Sequence, residues 1–368
     1  MNDGKRILEL LSTEGSYGDS PSGELAVMLA GAFFSRLPEE IISGGGFTLP
    51  ELSPELNRDA NTLADLASHI KETLATSTLS VPFLMTVESE AYGGEVEPPQ
   101  GKDYKTDAYR FPLRSIDGDM KVLDPTIDGR LPVVLDTVAK LKSRYPETTI
   151  IADVGAPLAI LSSLLDTAEI LKAFIRSKKE LHDKLERIAE NTISYAKALV
   201  AKGAEIIVIN DNFSTPAIVG DFFEEFTVPY INRIREEVRA AGGLAVVHIC
   251  GEVELFGEGL NLLSTEVLSA DTAASIKALR GIVGGKTLMA GVSHAALSSD
   301  NGEGLLSEVK RAVAEGARII TPSCGADLTV KVERLRELVR AACEGNLKDL
   351  DFLEPHGLKS KIDCSSRI

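Results

Sequence analysis

Short apolar runs alternating with longer helical patterns constrain this chain more than any other feature. The runs, expected as strands, are Val81–Val87, Thr149–Asp153, Ala204–Asn210, Leu244–His248, Glu266–Ala270, Thr287–Ala290 and Arg318–Thr321. Between two of them, residues 178–202 place Leu181, Leu185, Ile188 and Leu199 close to a 3.6-residue period. Residues 219–241 and 303–316 read the same way. Strand and helix in alternation indicate βα units and a parallel sheet. Seven strands, with an eighth near the N-terminus, favour a single closed (β/α)8 TIM barrel over an open sheet. Glycine stands where each long helix should stop, at Gly203, Gly242-Gly243 and Gly316.

The expected organisation is an N-terminal helical cap over 1–75, a TIM-barrel domain over 76–346 and a polar tail over 347–368. Residues 90–130, rich in glycine and proline, read as a long excursion after the second strand, of the kind that walls a site. A net charge of −16 over 368 residues argues against a nucleic-acid partner, because nothing would neutralise the phosphates. No apolar stretch approaches a membrane span, so no membrane partner is expected. Four cysteines without a CxxC pair are too few for a disulfide scaffold. The expected compartment is a reducing cytoplasm.

The chemistry concentrates at strand ends. His248-Ile249-Cys250 closes the apolar run from Leu244. Residues two apart on a strand point the same way, so imidazole and thiol are presented together. Cys324, in Ile319–Gly325, ends another apolar run in the same manner. A histidine and two cysteines from two strand ends form the ligand set of a catalytic zinc with an open position. The competing reading is two buried thiols and a core histidine. Active residues of this barrel type lie at the C-terminal ends of strands. Glu88, Glu90, Asp153, Asn210, Asp211, Ser293 and His294 fall there and are the candidate substrate-binding residues. Asp271, ending the strand after the one carrying His248, is the first choice for a fourth metal ligand; Glu252 is the second and a water the third. Two thiolates and an imidazole leave zinc a weak activator of water but a good partner for a soft substrate sulfur. Such a thiol loses its proton, so a small thiol is the expected substrate.

Several blocks carry a family resemblance. Val246–Gly251, Gly291–Ser293, Ile320–Gly325, Val81–Val96 and Asp221–Tyr230 resemble the uroporphyrinogen decarboxylase superfamily, and within it the corrinoid protein:coenzyme M methyltransferases. The similarity spans roughly residues 55–345. It implies a TIM barrel with zinc on His248, Cys250 and Cys324. It also implies methyl transfer from a methylcobamide, supplied by a corrinoid protein, to a thiol such as coenzyme M. The arginine-rich N-terminal signature of the decarboxylases is replaced here by Gly18–Glu24, so porphyrinogen decarboxylation is not expected. The alternatives are corrinoid-linked transfer to another thiol or to tetrahydrofolate, and a metal- or corrinoid-binding barrel without turnover.

Overall fold

The computed structural model describes residues 26–29, 41, 58–96, 109–300, 302–322 and 330–343. Ten strands occur among them: β1 (Ala26–Val27), β2 (Thr78–Val81), β3 (Glu95–Val96), β4 (Tyr109–Arg110), β5 (Thr149–Gly155), β6 (Ile206–Asp211), β7 (Leu244–Ile249), β8 (Val267–Ala270), β9 (Thr287–Val292) and β10 (Ala317–Pro322). Eight of them form one sheet in the order β1-β10-β9-β8-β7-β6-β5-β2, and every pairing in it is parallel. The Ser80 hydroxyl, on β2, donates to the Leu29 carbonyl just past β1 at 2.5 Å, drawing the two outer strands together. The sheet is thus curled into an α/β barrel with helices on its outside.

Alternation along the strands decides what faces the lumen. Met28, Ile151, Ile206, Val208, Val246, Val267, Met289 and Ile319 pack on one another as an inner core. Ile150, Ala152, Val154, Ile207, Ile209, Ala245 and Val247 belong instead to the larger core between sheet and helices. Strands buried on both faces are therefore near-continuous apolar runs, which is why they are readable in the sequence. The helix Lys178–Lys202 lays Leu181, Leu185, Ile188 and Leu199 into that outer core. The helix Leu131–Arg144 does the same with Val134, Leu135, Val138 and Leu141.

Three expectations are corrected or completed. The second strand is Thr78–Val81 rather than Val81–Val87. Pro82 has no amide hydrogen for the ladder, and after a short turn Val87–Ala91 forms a helix that carries Glu88 and Glu90. The helical pattern over 219–241 is divided: Pro216–Val219 and Phe223–Phe226 precede Val228–Ala240. Gly220, at φ +45, and Pro229 mark the breaks. The eighth strand is β1, only two residues long, so the barrel starts inside the stretch read as a cap. Helix Ala60–Leu74, in the same stretch, packs against Leu131–Arg144 on the outside. The glycine-rich segment 44–46 and the tail 347–368 lie outside the described residues.

Candidate metal and thiol site

The period of two that builds the inner core also builds the site above it. One step beyond Ile151, Val208, Val246 and Val267, the inward positions are Asp153, Asn210, His248 and Ser269. These lie on four consecutive strands. Register pairs Asn210 with His248 and His248 with Ser269. Cys250 follows His248 on the same inward face. Its amide donates to the Asp211 carbonyl at 3.0 Å, which carries the ladder one residue past β7. Gly251 then turns the chain at φ +86, a conformation that a side chain would strain.

The imidazole is fixed at both nitrogens. Nδ1 lies 2.9 Å from the Ser269 hydroxyl, and Nε2 lies 3.5 Å from the Cys250 sulfur. Burial alone would pull the His248 pKa down; the Cys250 hydrogen bond and charge, with Asp271 and Asp153 behind them, outweigh it and leave the pKa raised. The donor pair fits zinc. Ligand distances of about 2.05 Å for nitrogen and 2.3 Å for sulfur at a tetrahedral angle put the two donors about 3.6 Å apart. A hydrogen-bonded second nitrogen is the usual companion of a metal-binding imidazole. Among the described residues, no group of three or more histidine, cysteine or acidic side chains stands close enough to hold a metal. Cys324, the expected third ligand, lies just beyond β10 and outside the described residues.

Asp271 follows β8 at the next inward position, and its charge reaches His248. Its Oδ1 accepts from the Thr272 amide at 2.6 Å and the Thr272 hydroxyl at 3.2 Å. Glu252 is exposed and lines a cavity of about 910 Å³ with Thr215, Phe223, Glu224, Gly251 and Phe256.

The remaining candidates divide. Asp153 is buried, and its Oδ1 accepts from Asn210 Nδ2 at 2.7 Å. Glu88 is also buried; its Oε2 accepts from the Gly155 amide at 2.7 Å, while Oε1 makes no hydrogen bond of good geometry. Burial first, with the nearby Asp153 charge adding, pushes the Glu88 carboxyl up to about 8 against the pull of the Gly155 amide and the Thr192 hydroxyl. Gly155 permits this approach, since a Cβ there would lie 3.3 Å from Glu88 Oε2 and 2.6 Å from Ile160 Cγ1. Glu90 is engaged elsewhere: the Arg130 guanidinium grips it through Nε at 2.5 Å and Nη2 at 2.8 Å. Asp211 falls on the outward face of β6, where its Oδ1 accepts from the Phe213 and Ser214 amides at 3.0 and 2.7 Å. Ser293 caps the helix His294–Ser298 and is bound through its amide and hydroxyl to Glu308. His294 opens that helix. Two residues that contribute here carry no motif. Ser269 could have been found by counting two from Val267, and Arg130 by asking what neutralises Glu90.

Fold and site together describe an α/β barrel that sets an imidazole and a thiol side by side at its C-terminal rim. A model of the uroporphyrinogen decarboxylase (URO-D) family matches residues 51–345, and the chain belongs to that family. Within it, the chain is 25% identical over 301 residues to a methylcobamide:CoM methyltransferase, MtaA, of Methanosarcina barkeri, covering 79% of this chain and 86% of the relative. A uroporphyrinogen decarboxylase of Rhodococcus erythropolis is 28% identical over 216 residues, only 57% of this chain. A solved methyltransferase from Methanosarcina mazei superposes with a TM-score of 0.80 at 24% identity, covering 94% of this chain and 99% of that one, and shares its fold. Methyl transfer is the class of activity these relatives support. No helix among the described residues is long and apolar enough to cross a membrane.

Proposed function

We propose that this chain transfers a methyl group from a methylated corrinoid, presented by a partner protein, to a small thiol such as coenzyme M. In this reading zinc is held by His248, Cys250 and Cys324, with Asp271 as the displaceable fourth ligand. The observation that supports it most directly is the 3.5 Å approach of Cys250 Sγ to His248 Nε2 while Ser269 occupies Nδ1. Bound zinc would hold the incoming thiol as a thiolate, and the methylated corrinoid would supply an electrophilic methyl group.

The chain's own residues do the rest. Ser269 sets the imidazole ring so that Nε2 faces the donor position. The Gly251 turn delivers the Cys250 sulfur to the same point. Asp153 and Asn210, tied to each other on β5 and β6, form the wall of the mouth beside His248 and orient whatever enters it. A cytoplasmic, reducing setting keeps both cysteines free to act as ligands.

Metal analysis of the wild type, Cys250→Ala and Cys324→Ala, followed by methylcobalamin loss against coenzyme M, other thiols and tetrahydrofolate, tests this. One zinc per chain in the wild type, lost from either variant, with thiol-dependent demethylation, is the expected result. Full metal retention in both variants would refute the ligand assignment. Zinc without any thiol-dependent turnover would favour a binding barrel, and turnover with tetrahydrofolate alone would move the acceptor to a folate.

A further inference from the structure

Glu88 is not used by the mechanism above, yet it is among the most constrained polar groups near the site. Its carboxyl is buried; the Gly155 amide donates to Oε2 and the Thr192 hydroxyl stands near enough to act on the carboxyl, while Oε1 makes no hydrogen bond of good geometry. The groups facing it come from every element around it. From β5 comes Asp153, already bound by Asn210. From the helix Lys178–Lys202 come Thr192 and the buried Tyr195 hydroxyl. Arg130, at the start of the helix Leu131–Arg144, acts on Tyr195 and is held by Glu90 through Nε and Nη2, while its Nη1 is buried without a hydrogen-bond partner. From the end of its own helix comes Tyr92, whose hydroxyl accepts from Asn191 at 2.7 Å. Among the described residues, no cation acts on Glu88 to offset the nearby Asp153 charge. An uncompensated buried charge at that place is far more costly than a neutral acid.

We propose that Glu88 is a positioning residue of this site, a neutral carboxylic acid that supports the Asp153–Asn210 wall and keeps the barrel mouth one negative charge poorer, so that an anionic sulfur can be taken up beside His248 and Cys250. The role rests on the reading of the site as one that accepts a thiol. Gly155, which Glu88 holds, pairs in register with Asn210, and Asn210 pairs with His248. Two strand spacings therefore separate Glu88's anchor from the donor pair, about 10 Å. A like charge at that distance, at an effective dielectric of about 20, changes affinity for an anion by about tenfold. Ionised Glu88 repels the incoming sulfur; protonated Glu88 does not. The burial that raises its pKa to about 8 keeps the neutral form dominant at pH 7.

The test uses the full-length, metal-loaded protein and Glu88→Gln, which mimics the neutral acid. Infrared spectra of wild type with ¹³C-labelled glutamate should show a protonated-carboxyl band at pH 7 that fades as pH rises through about 8 and is missing in Glu88→Gln. Calorimetric affinity for 2-mercaptoethanol should fall in wild type relative to Glu88→Gln by about tenfold between pH 7 and pH 9. The variant should match wild type at the lower pH. Absence of the band in wild type overturns the proposal, and so does an identical pH dependence in the two proteins, which would leave the thiol reading intact. If neither protein binds the thiol, the thiol reading fails and the role of Glu88 falls with it. The labelled wild type decides the protonation state even if the variant does not fold.

Discussion

Ser269 Oγ stands 2.9 Å from His248 Nδ1 across the β7–β8 ladder, and this contact leaves Nε2 as the nitrogen that faces Cys250. A hydroxyl in that place fixes ring orientation without adding charge. Ser269→Ala should therefore keep the fold, because Ser269 is buried within a strand where alanine is easily held. Zinc affinity should fall by about 10- to 100-fold, the usual effect of losing such a partner. Competition with a chromogenic chelator reads this directly, and unchanged affinity would show that the serine is only packing.

Asp271 makes a different prediction. Its carboxylate is already satisfied in part by the Thr272 amide and hydroxyl, so in the proposed role of fourth ligand it would be one that can leave. Asp271→Ala should retain zinc while altering thiol affinity. Metal content together with thiol titration checks both halves. Normal thiol binding and turnover in the variant would remove the residue from the site.

The Arg130–Glu90 pair predicts a stability effect. Both side chains are largely buried, and Arg130 also donates to the Thr86 hydroxyl at 2.8 Å. Arg130→Met leaves Glu90 charged without its partner, which should cost about 3–5 kcal/mol in urea unfolding. Arg130→Met combined with Glu90→Gln should recover part of that loss. If the single variant unfolds like wild type, the pair is not holding the β2 loop to the helix Leu131–Arg144.

Glu88 also predicts how stability depends on pH. Its folded pKa is raised from 4.5 to about 8. Between those values the unfolded chain gives up the proton and the folded protein keeps it. The folded state is therefore progressively disfavoured as pH climbs from about 4.5 to about 8, with no further change from this group above that. Thermal melts of wild type and Glu88→Gln should diverge over this window, with the variant the more stable toward pH 8. Parallel curves would mean that Glu88 is ionised in both states.

Much of the barrel was legible because a strand covered on both faces has to be apolar throughout. Leu244–Ile249 and Ile206–Asp211 show this directly. β1 is harder to see because two residues carry no period, and the strand expected over Val81–Val87 lies instead at Thr78–Val81 because proline ends a ladder that hydrophobicity alone would extend. At the site, His248 and Cys250 were legible because their partnership is local, two residues on one strand. The ties of His248 to Ser269 and of Asp153 to Asn210 cross between strands. Cross-strand ties need the register, which no single segment encodes. The engagement of Glu90 by Arg130, forty residues away in sequence, was hidden for the same reason.

The placing of Asp153, Asn210, His248 and Ser269 on four consecutive strands has a consequence for biogenesis. These residues leave the ribosome one strand after another, and only the completed stack of β5 to β8 sets them side by side. A nascent chain truncated after Cys250 would own an imidazole and a sulfur but no serine to steer the ring. Were zinc held as proposed, its loading would lag behind synthesis of β8, making metal uptake a late checkpoint of assembly rather than its seed.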